Sequence, residues 1–304
     1  MTYPKEIAVT INDLAKLEYY ISNYNLLPQK PVHSVLSGKH VSKLRGRGLD
    51  FSEVRKYVHG DDIRNIDWKV TARTKKTHTK VFTEEKERPA FVVVDQSSSM
   101  FFASEGTVKS VVAAQMAAIS GFKVLKSGDR IGGIVFNDTE YESIQPKRSR
   151  ATLMHLLEDI VQKNNALVQR KKIESKKNII NEVLFRANNV VTHDYVVVLI
   201  SDFQHLDEVG RRYLTSMARH NDIIAIMVSD NMDFELPEEK MPYGDGDLQV
   251  MFSGKDELRE NYKTLSSGIR EDNINYFRKY GIPFMELNTR ESLVDQIKNI
   301  FGKA

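Results

Sequence analysis

The stretch Ala90-Phe91-Val92-Val93-Val94-Asp95-Gln96-Ser97-Ser98-Ser99-Met100 decides how the rest of the chain is read. Five apolar residues give way abruptly to acid, amide and hydroxyls, as a strand buried on both faces does where it leaves a parallel sheet. A second run of the same kind, Tyr195-Val196-Val197-Val198-Leu199-Ile200, ends in Ser201-Asp202. Between and beyond these lie further alternations. A helix is expected from Thr107 to Lys126, a strand from Arg130 to Phe136, and a short extra strand from Thr139 to Ile144. Helices over 152–161 and 178–187 follow, then helix 207–220, strand 222–228, helix 255–280, strand 283–287 and helix 290–301. Strands alternating with helices imply an α/β fold, a doubly wound and mostly parallel sheet covered on both faces.

Upstream of Pro89 the pattern differs. Thr10 can cap a helix over 10–24, with Asp13 at the reciprocal position and Ile11, Leu14, Leu17 and Ile21 as its apolar stripe. Pro28, Pro31, Gly38, Gly46 and Gly48 favour loop and short extended pieces over 28–50. Residues 51–88 are charged, with Phe51, Val54, Tyr57, Ile63, Ile66 and Trp68 as apolar anchors. The expected organisation is an N-terminal helical segment (1–30), an Arg/Asp-rich segment packed on the main domain (31–88), and the α/β domain (89–304).

Composition narrows the chemistry. The 304 residues are 41% apolar and 28% charged, ordinary for a folded soluble protein. With no cysteine, disulfides, thiolate zinc sites and cysteine nucleophiles are excluded. The first residues do not form a signal peptide, and no apolar run is long enough to cross a bilayer. A cytoplasmic protein without membrane insertion is expected. The net charge of +3 is uneven: residues 1–88 carry 17 Lys+Arg against 11 Asp+Glu, the remainder 27 against 30. Such a front could meet phosphate, an acidic partner or the chain's own acids.

Ligands of doubly wound sheets sit beyond the carboxyl ends of the strands, near the point where strand order reverses. Asp95, Ser97 and Ser99 stand after one strand and Asp202 after another, so two carboxylates and several hydroxyls can surround one space. A cation relieves the repulsion between such carboxylates. Oxygen-only ligands suit Mg2+ or Mn2+ in six-fold geometry. An Asp-x-Ser-x-Ser string recurs by chance in roughly one chain in ten of this length; its placement is what distinguishes it. In the bland alternative, Ser97 and Ser99 only cap a turn while Asp95 bonds backbone amides.

Asp95-x-Ser97-x-Ser99 followed by Asp202 resembles the metal-ion-dependent adhesion site of von Willebrand factor A domains. The resemblance implies a cation held directly by the two serines, partly through water by the aspartates, and completed by a Thr. The last position is left for a partner's acidic side chain. Thr152 stands at about the place of that Thr, without the usual Gly-rich lead-in; a plain N-cap is its alternative reading.

A second resemblance covers nearly the whole chain. Arg45-Gly46-Arg47-Gly48-x-Asp50-Phe51-Ser52-Glu53-Val54-Arg55-Lys56-Tyr57, Gly60-Asp61-Asp62-x-Arg64-x-Ile66-Asp67-Trp68-Lys69 and Ala72-Arg73-Thr74 resemble the signature of the bacterial family called domain of unknown function 58. So do Leu236-Pro237, Gly244-Asp245-Gly246-Asp247 and Tyr280-Gly281-Ile282-Pro283. Members typically accompany MoxR-type AAA+ ATPases with a proposed role in maturing or remodelling other proteins. The resemblance implies such an ATPase and an unidentified client as partners. Arg45, Arg47, Arg55, Arg64 and Arg73 lie among Asp61, Asp62 and other acids. The favoured reading is a scaffold of ion pairs with Phe51 and Trp68 as anchors; a shared partner-binding face is the other.

The expected function is therefore a cation-dependent protein-binding adaptor, not an enzyme and without catalytic residues. The alternatives are a metal-dependent phosphohydrolase or nuclease, which needs more carboxylates or histidines than assemble here, and nucleic-acid binding through the basic front. The interleaved acids argue against the latter.

Overall fold

Six strands form the central sheet: β3 (Ala90–Asp95), β4 (Ile131–Phe136), β5 (Tyr141–Lys147), β6 (Val196–Ser201), β7 (Asp222–Ser229) and β10 (Phe284–Asn288), in the order β10-β7-β6-β3-β4-β5. All neighbours are parallel except β4 and β5. The computed structural model describes residues 3–23, 49–84, 88–169, 179–236, 241–244, 249–252 and 256–301. It divides into two compact units, residues 1–36 with 88–304, and residues 37–87.

In the larger unit the alternation of side chains across the sheet is visible residue by residue. Ala90, Val92 and Val94 face one apolar cluster, with Val196, Val198 and Ile200. Phe91 and Val93 face the other, with Val197 and Leu199. Because both faces are covered, the central strands must be apolar at every position. The first cluster is closed by α1 (Ile11–Lys16), α3 (Lys109–Lys126), α4 (Arg150–Val168) and α8 (Leu293–Phe301). The second is closed by α5 (Ile179–Val190), α6 (Glu208–Ala218) and α7 (Asp256–Lys279). Gly133 lets β4 approach β3: a Cβ there would lie 2.3 Å from the Val92 carbonyl oxygen.

The chain runs β3–β4–β5 towards one edge and returns to lay β6, β7 and β10 on the other side of β3. Strand order therefore reverses between β3 and β6, beside each other in register from Ala90–Val196 to Val94–Ile200.

The N-terminal segment forms α1 and then a 3-10 helix over Leu17–Asn23, where one α-helix was expected. Thr10 is its N-cap, as the capping pattern requires: its Oγ1 accepts from the Asp13 amide and donates to Asp13 Oδ2 at 2.6 Å. Val9 and Leu14 are buried, and the Val9 amide donates to Asn164 Oδ1. A small antiparallel pair, β8 (Met241–Gly244) with β9 (Gln249–Phe252), is not expected from the sequence pattern.

The smaller unit pairs β1 (Leu49–Lys56) antiparallel with β2 (His78–Glu84), with a register shift between Phe51 and Glu53. Between them lies α2 (Trp68–Thr74), capped by Asp67, whose Oδ1 accepts from the amides of Lys69 and Val70, both at 3.0 Å. Trp68 and Phe51, read from the sequence as apolar anchors, are 69% and 57% exposed.

Candidate cation site

The reversal point carries the expected cluster. Asp95 ends β3 and Ser201 ends β6 beside it, and the Ser201 hydroxyl donates to Asp95 Oδ2 at 2.6 Å. Asp95 Oδ1 accepts from the Ser97 amide at 2.9 Å, which bends the chain as soon as it leaves the strand. Burial first, and the charge of Asp202 second, push the Asp95 carboxyl up from 3.8 to about 6, against hydrogen bonds from Ser201 and Ser97. Asp95 and Asp202 are thus close enough to repel, which is the condition that attracts a cation.

The hydroxyls of Ser97 and Ser99 stand 3.2 Å apart. Adjacent ligands of an octahedral ion with bonds near 2.1 Å lie about 3 Å from one another, so the spacing suits Mg2+ or Mn2+. The turn bearing them is pinned to the end of β4: Asp138 accepts from the Ser98 amide and from the Ser98 hydroxyl, both at 2.9 Å. Among the described residues no three His, Cys, Asp or Glu side chains converge as a metal site. The fit to a cation therefore rests on serine oxygens together with two carboxylates.

Thr152 does not belong to this group. β5 runs antiparallel to β4, pairing Tyr141 with Phe136 at the Asp95 end and Lys147 with Ile131 at the other. α4 therefore starts at the amino edge of the parallel strands, and Thr152 is its third residue. Its neighbour Leu153 packs where a Cβ on Gly121, late in α3, would fall. A six-residue strand separates the two edges by about 17–20 Å. The opposite end of α4 reaches the site side, where Asn164 donates to Gln96 Oε1 and Ser110 Oγ, both at 3.1 Å. Thr152 is not the N-cap either; Ser149 occupies that position.

Sequence reasoning missed Lys109, the first residue of α3. Its side chain is buried to 0% exposure. Its ammonium donates to Asp202 Oδ2 at 3.2 Å and to both oxygens of Asp233 at 3.1 Å. Burial works against its charge, but Asp202 and Asp233 outweigh burial and raise its pKa. Asp233 is pushed up by burial, partly offset by Lys109. It is held by a capping box after β7: the Asp230 amide donates to Asp233 Oδ2 at 2.8 Å. The available signal was a lysine set among Val108, Val111 and Val112 at a buried helix start, where an unpaired charge does not survive.

His205 is exposed. In the smaller unit Arg55 pairs with Asp61 at 2.8 Å, and Asp61 also accepts from the Val58 amide. Asp62 caps a 3-10 turn through the Arg64 amide. Arg64 and Arg73 are exposed and form no ion pair among the described residues. Among the described residues of the string, Arg55 pairs with Asp61 and Asp67 with Lys80, while Asp62 and Asp67 cap backbone amides. Arg45 and Arg47 lie outside the described residues, as do residues 24–48, Pro237 and Asp245-Gly246-Asp247.

Among the described residues no helix is long and apolar enough to cross a membrane. The family model described as "Protein of unknown function DUF58" matches residues 53–271. Uncharacterized proteins of Mycobacterium bovis and Mycobacterium tuberculosis are 28% identical over 300 residues, covering 96% of this chain and 91% of theirs. Among solved structures, the conserved hypothetical protein BatB from Bacteroides thetaiotaomicron matches at TM-score 0.41 and 12% identity, over 71% of this chain and 100% of that one. The SpRpn10 VWA domain matches at TM-score 0.37 and 7% identity, over 71% and 95%. The sheet, parallel at every neighbour except β4 and β5 and covered by helices on both faces, is an α/β architecture.

Proposed function

The chain belongs to the family of unknown function DUF58, and on that footing we propose that it is a cytoplasmic, cation-dependent protein-binding adaptor. Its partners in this reading are a MoxR-type AAA+ ATPase and a client protein. The observation that carries it is the convergence of Asp95, Ser97, Ser99 and Asp202 at the strand-order reversal, with serine oxygens at octahedral spacing.

Ser97 and Ser99 would hold Mg2+ or Mn2+ directly, while Asp95 and Asp202 balance its charge from behind. A divalent ion so held supplies a Lewis-acidic position that an acidic side chain of a partner can complete. The chain's own residues do the orienting. Ser201 and the Ser97 amide fix the Asp95 carboxylate, and Asp138 fixes the turn that carries both hydroxyls. Two-metal hydrolases gather more carboxylates and histidines than converge here among the described residues, which favours recognition over turnover.

The test is capture of a purified MoxR-type ATPase on the immobilised chain. It compares wild type, Asp95→Ala and Asp202→Ala at constant Mg2+, and wild type in chelator. Recovery at least tenfold lower with both variants and in chelator is expected. Equal recovery in all four arms refutes the reading. Asp202-dependent hydrolysis of phosphoesters would transfer the site to the enzyme class.

A further inference from the structure

Lys109 is a fully buried lysine at the start of α3, and packing alone does not call for its charge. An apolar residue of the same length would avoid burying an ammonium but would leave Asp202 and Asp233 without a counter-charge. What the lysine does instead is divide the acids at the carboxyl edge of the sheet. Its ammonium engages one oxygen of Asp202 and both oxygens of Asp233, while Asp95 is left to the serines.

We infer that Lys109 sets the strength of the proposed cation site, holding the Asp233 carboxylate away from the ion and lowering the ion's affinity. The inference rests on the cation reading above and concerns a positioning residue within it. Three carboxylates, Asp95, Asp202 and Asp233, share the edge with one ammonium. With the lysine, two net negative charges meet a divalent ion and the site is neutral once loaded. Without it, the three nearby carboxylates would carry one uncompensated charge more, and the loaded site would stay negative. A negative site holds its ion tightly and repels an incoming carboxylate; a neutral one holds it loosely and accepts it. Asp233 already has both oxygens committed, to Lys109 and to the Asp230 amide. Asp202 keeps one oxygen facing only the Gln204 amide at 3.2 Å. The lysine therefore selects which second carboxylate the ion meets.

The experiment measures Mn2+ alone binding to the full chain by titration calorimetry at pH 7.5. It uses wild type, Lys109→Met, Asp233→Asn, the Lys109→Met/Asp233→Asn double variant and Asp95→Ala. Affinity should follow net charge. Lys109→Met binds at least tenfold tighter than wild type, Asp233→Asn severalfold weaker, and the double variant returns to within about threefold of wild type. Loss of a merely structural residue could only weaken binding, so a gain is specific to the electrostatic role. Lys109→Met binding equally or more weakly, with an unchanged circular dichroism spectrum, overturns the inference. If that variant does not fold, Asp233→Asn and the double variant decide: Asp233→Asn binding as tightly as wild type overturns it. Mn2+ binding that needs Asp95 but ignores Lys109 and Asp233 sinks this inference and leaves the cation site standing. Absence of binding in every variant, Lys109→Met included, sinks both.

Discussion

Replacing Asp95 by Asn should make the ion-free protein more stable, although Asp95 lies at the centre of the candidate site. The carboxyl is buried beside Asp202, and its pKa is raised from 3.8 to about 6. A folded-state pKa above the unfolded one means that the native state takes up a proton between about pH 4 and 6. Stability contributed by this group is therefore lost as pH rises through that window, and the whole penalty is present above it. At 1.36 kcal/mol per pKa unit the penalty is about 3 kcal/mol. Asn keeps the acceptor for the Ser97 amide, but loses the charge in the bond from Ser201, which returns on the order of 1–2 kcal/mol. The net gain for Asp95→Asn at pH 8 in chelator is about 1–2 kcal/mol, or about 2–4 °C in melting temperature for a chain of this size. At pH 5 the gap should close, because wild-type Asp95 is then largely protonated. Adding Mg2+ should raise the wild-type melting temperature and leave the variant unmoved, since only a native state that binds the ion gains from it. Differential scanning calorimetry at both pH values, with and without Mg2+, measures all of this. A variant melting below wild type at pH 8 in chelator, or a gap that does not narrow at pH 5, would contradict this electrostatic account.

Asn164→Leu strands three partners at once, the Val9 amide, Gln96 Oε1 and Ser110 Oγ. It should cost about 2–4 kcal/mol in urea unfolding and expose the N-terminal segment to protease; a loss below 1 kcal/mol would contradict the network. Gly133→Ala places a Cβ 2.3 Å from the Val92 carbonyl. Two backbones must separate, so destabilisation of about 3 kcal/mol or more is expected in denaturant midpoints. Asp67→Ala removes the cap of α2 at a cost of about 1 kcal/mol. Faster hydrogen exchange at the Lys69 and Val70 amides would show it, with Mn2+ affinity unchanged.

Much of the fold is legible in the amino-acid order because its signals are local. A strand buried on both faces must be apolar at each position, so β3 and β6 announce themselves, and the polar residues after them mark the edge where ligands gather. Capping is equally local, and Thr10 and Asp13 behave as their spacing requires. Order along the chain does not determine proximity, and Thr152 shows the consequence. The antiparallel turn into β5 reverses the direction of the chain, and so carries the start of α4 and Thr152 to the wrong edge of the sheet.

Asp95, Ser97, Ser99 and Asp202 stand out in the sequence itself, since they lie at or just beyond the ends of two apolar strands. Lys109, Asp138 and Asp233 do not: they come from α3, from the turn after β4 and from the turn after β7. Only the crossover order β7-β6-β3-β4 sets those places side by side. Apolar periodicity reports which face of an element is buried. Which strand ends become neighbours, and hence which charges meet inside the protein, is decided by how the sheet is wound, because electrostatic partners are chosen by distance in space.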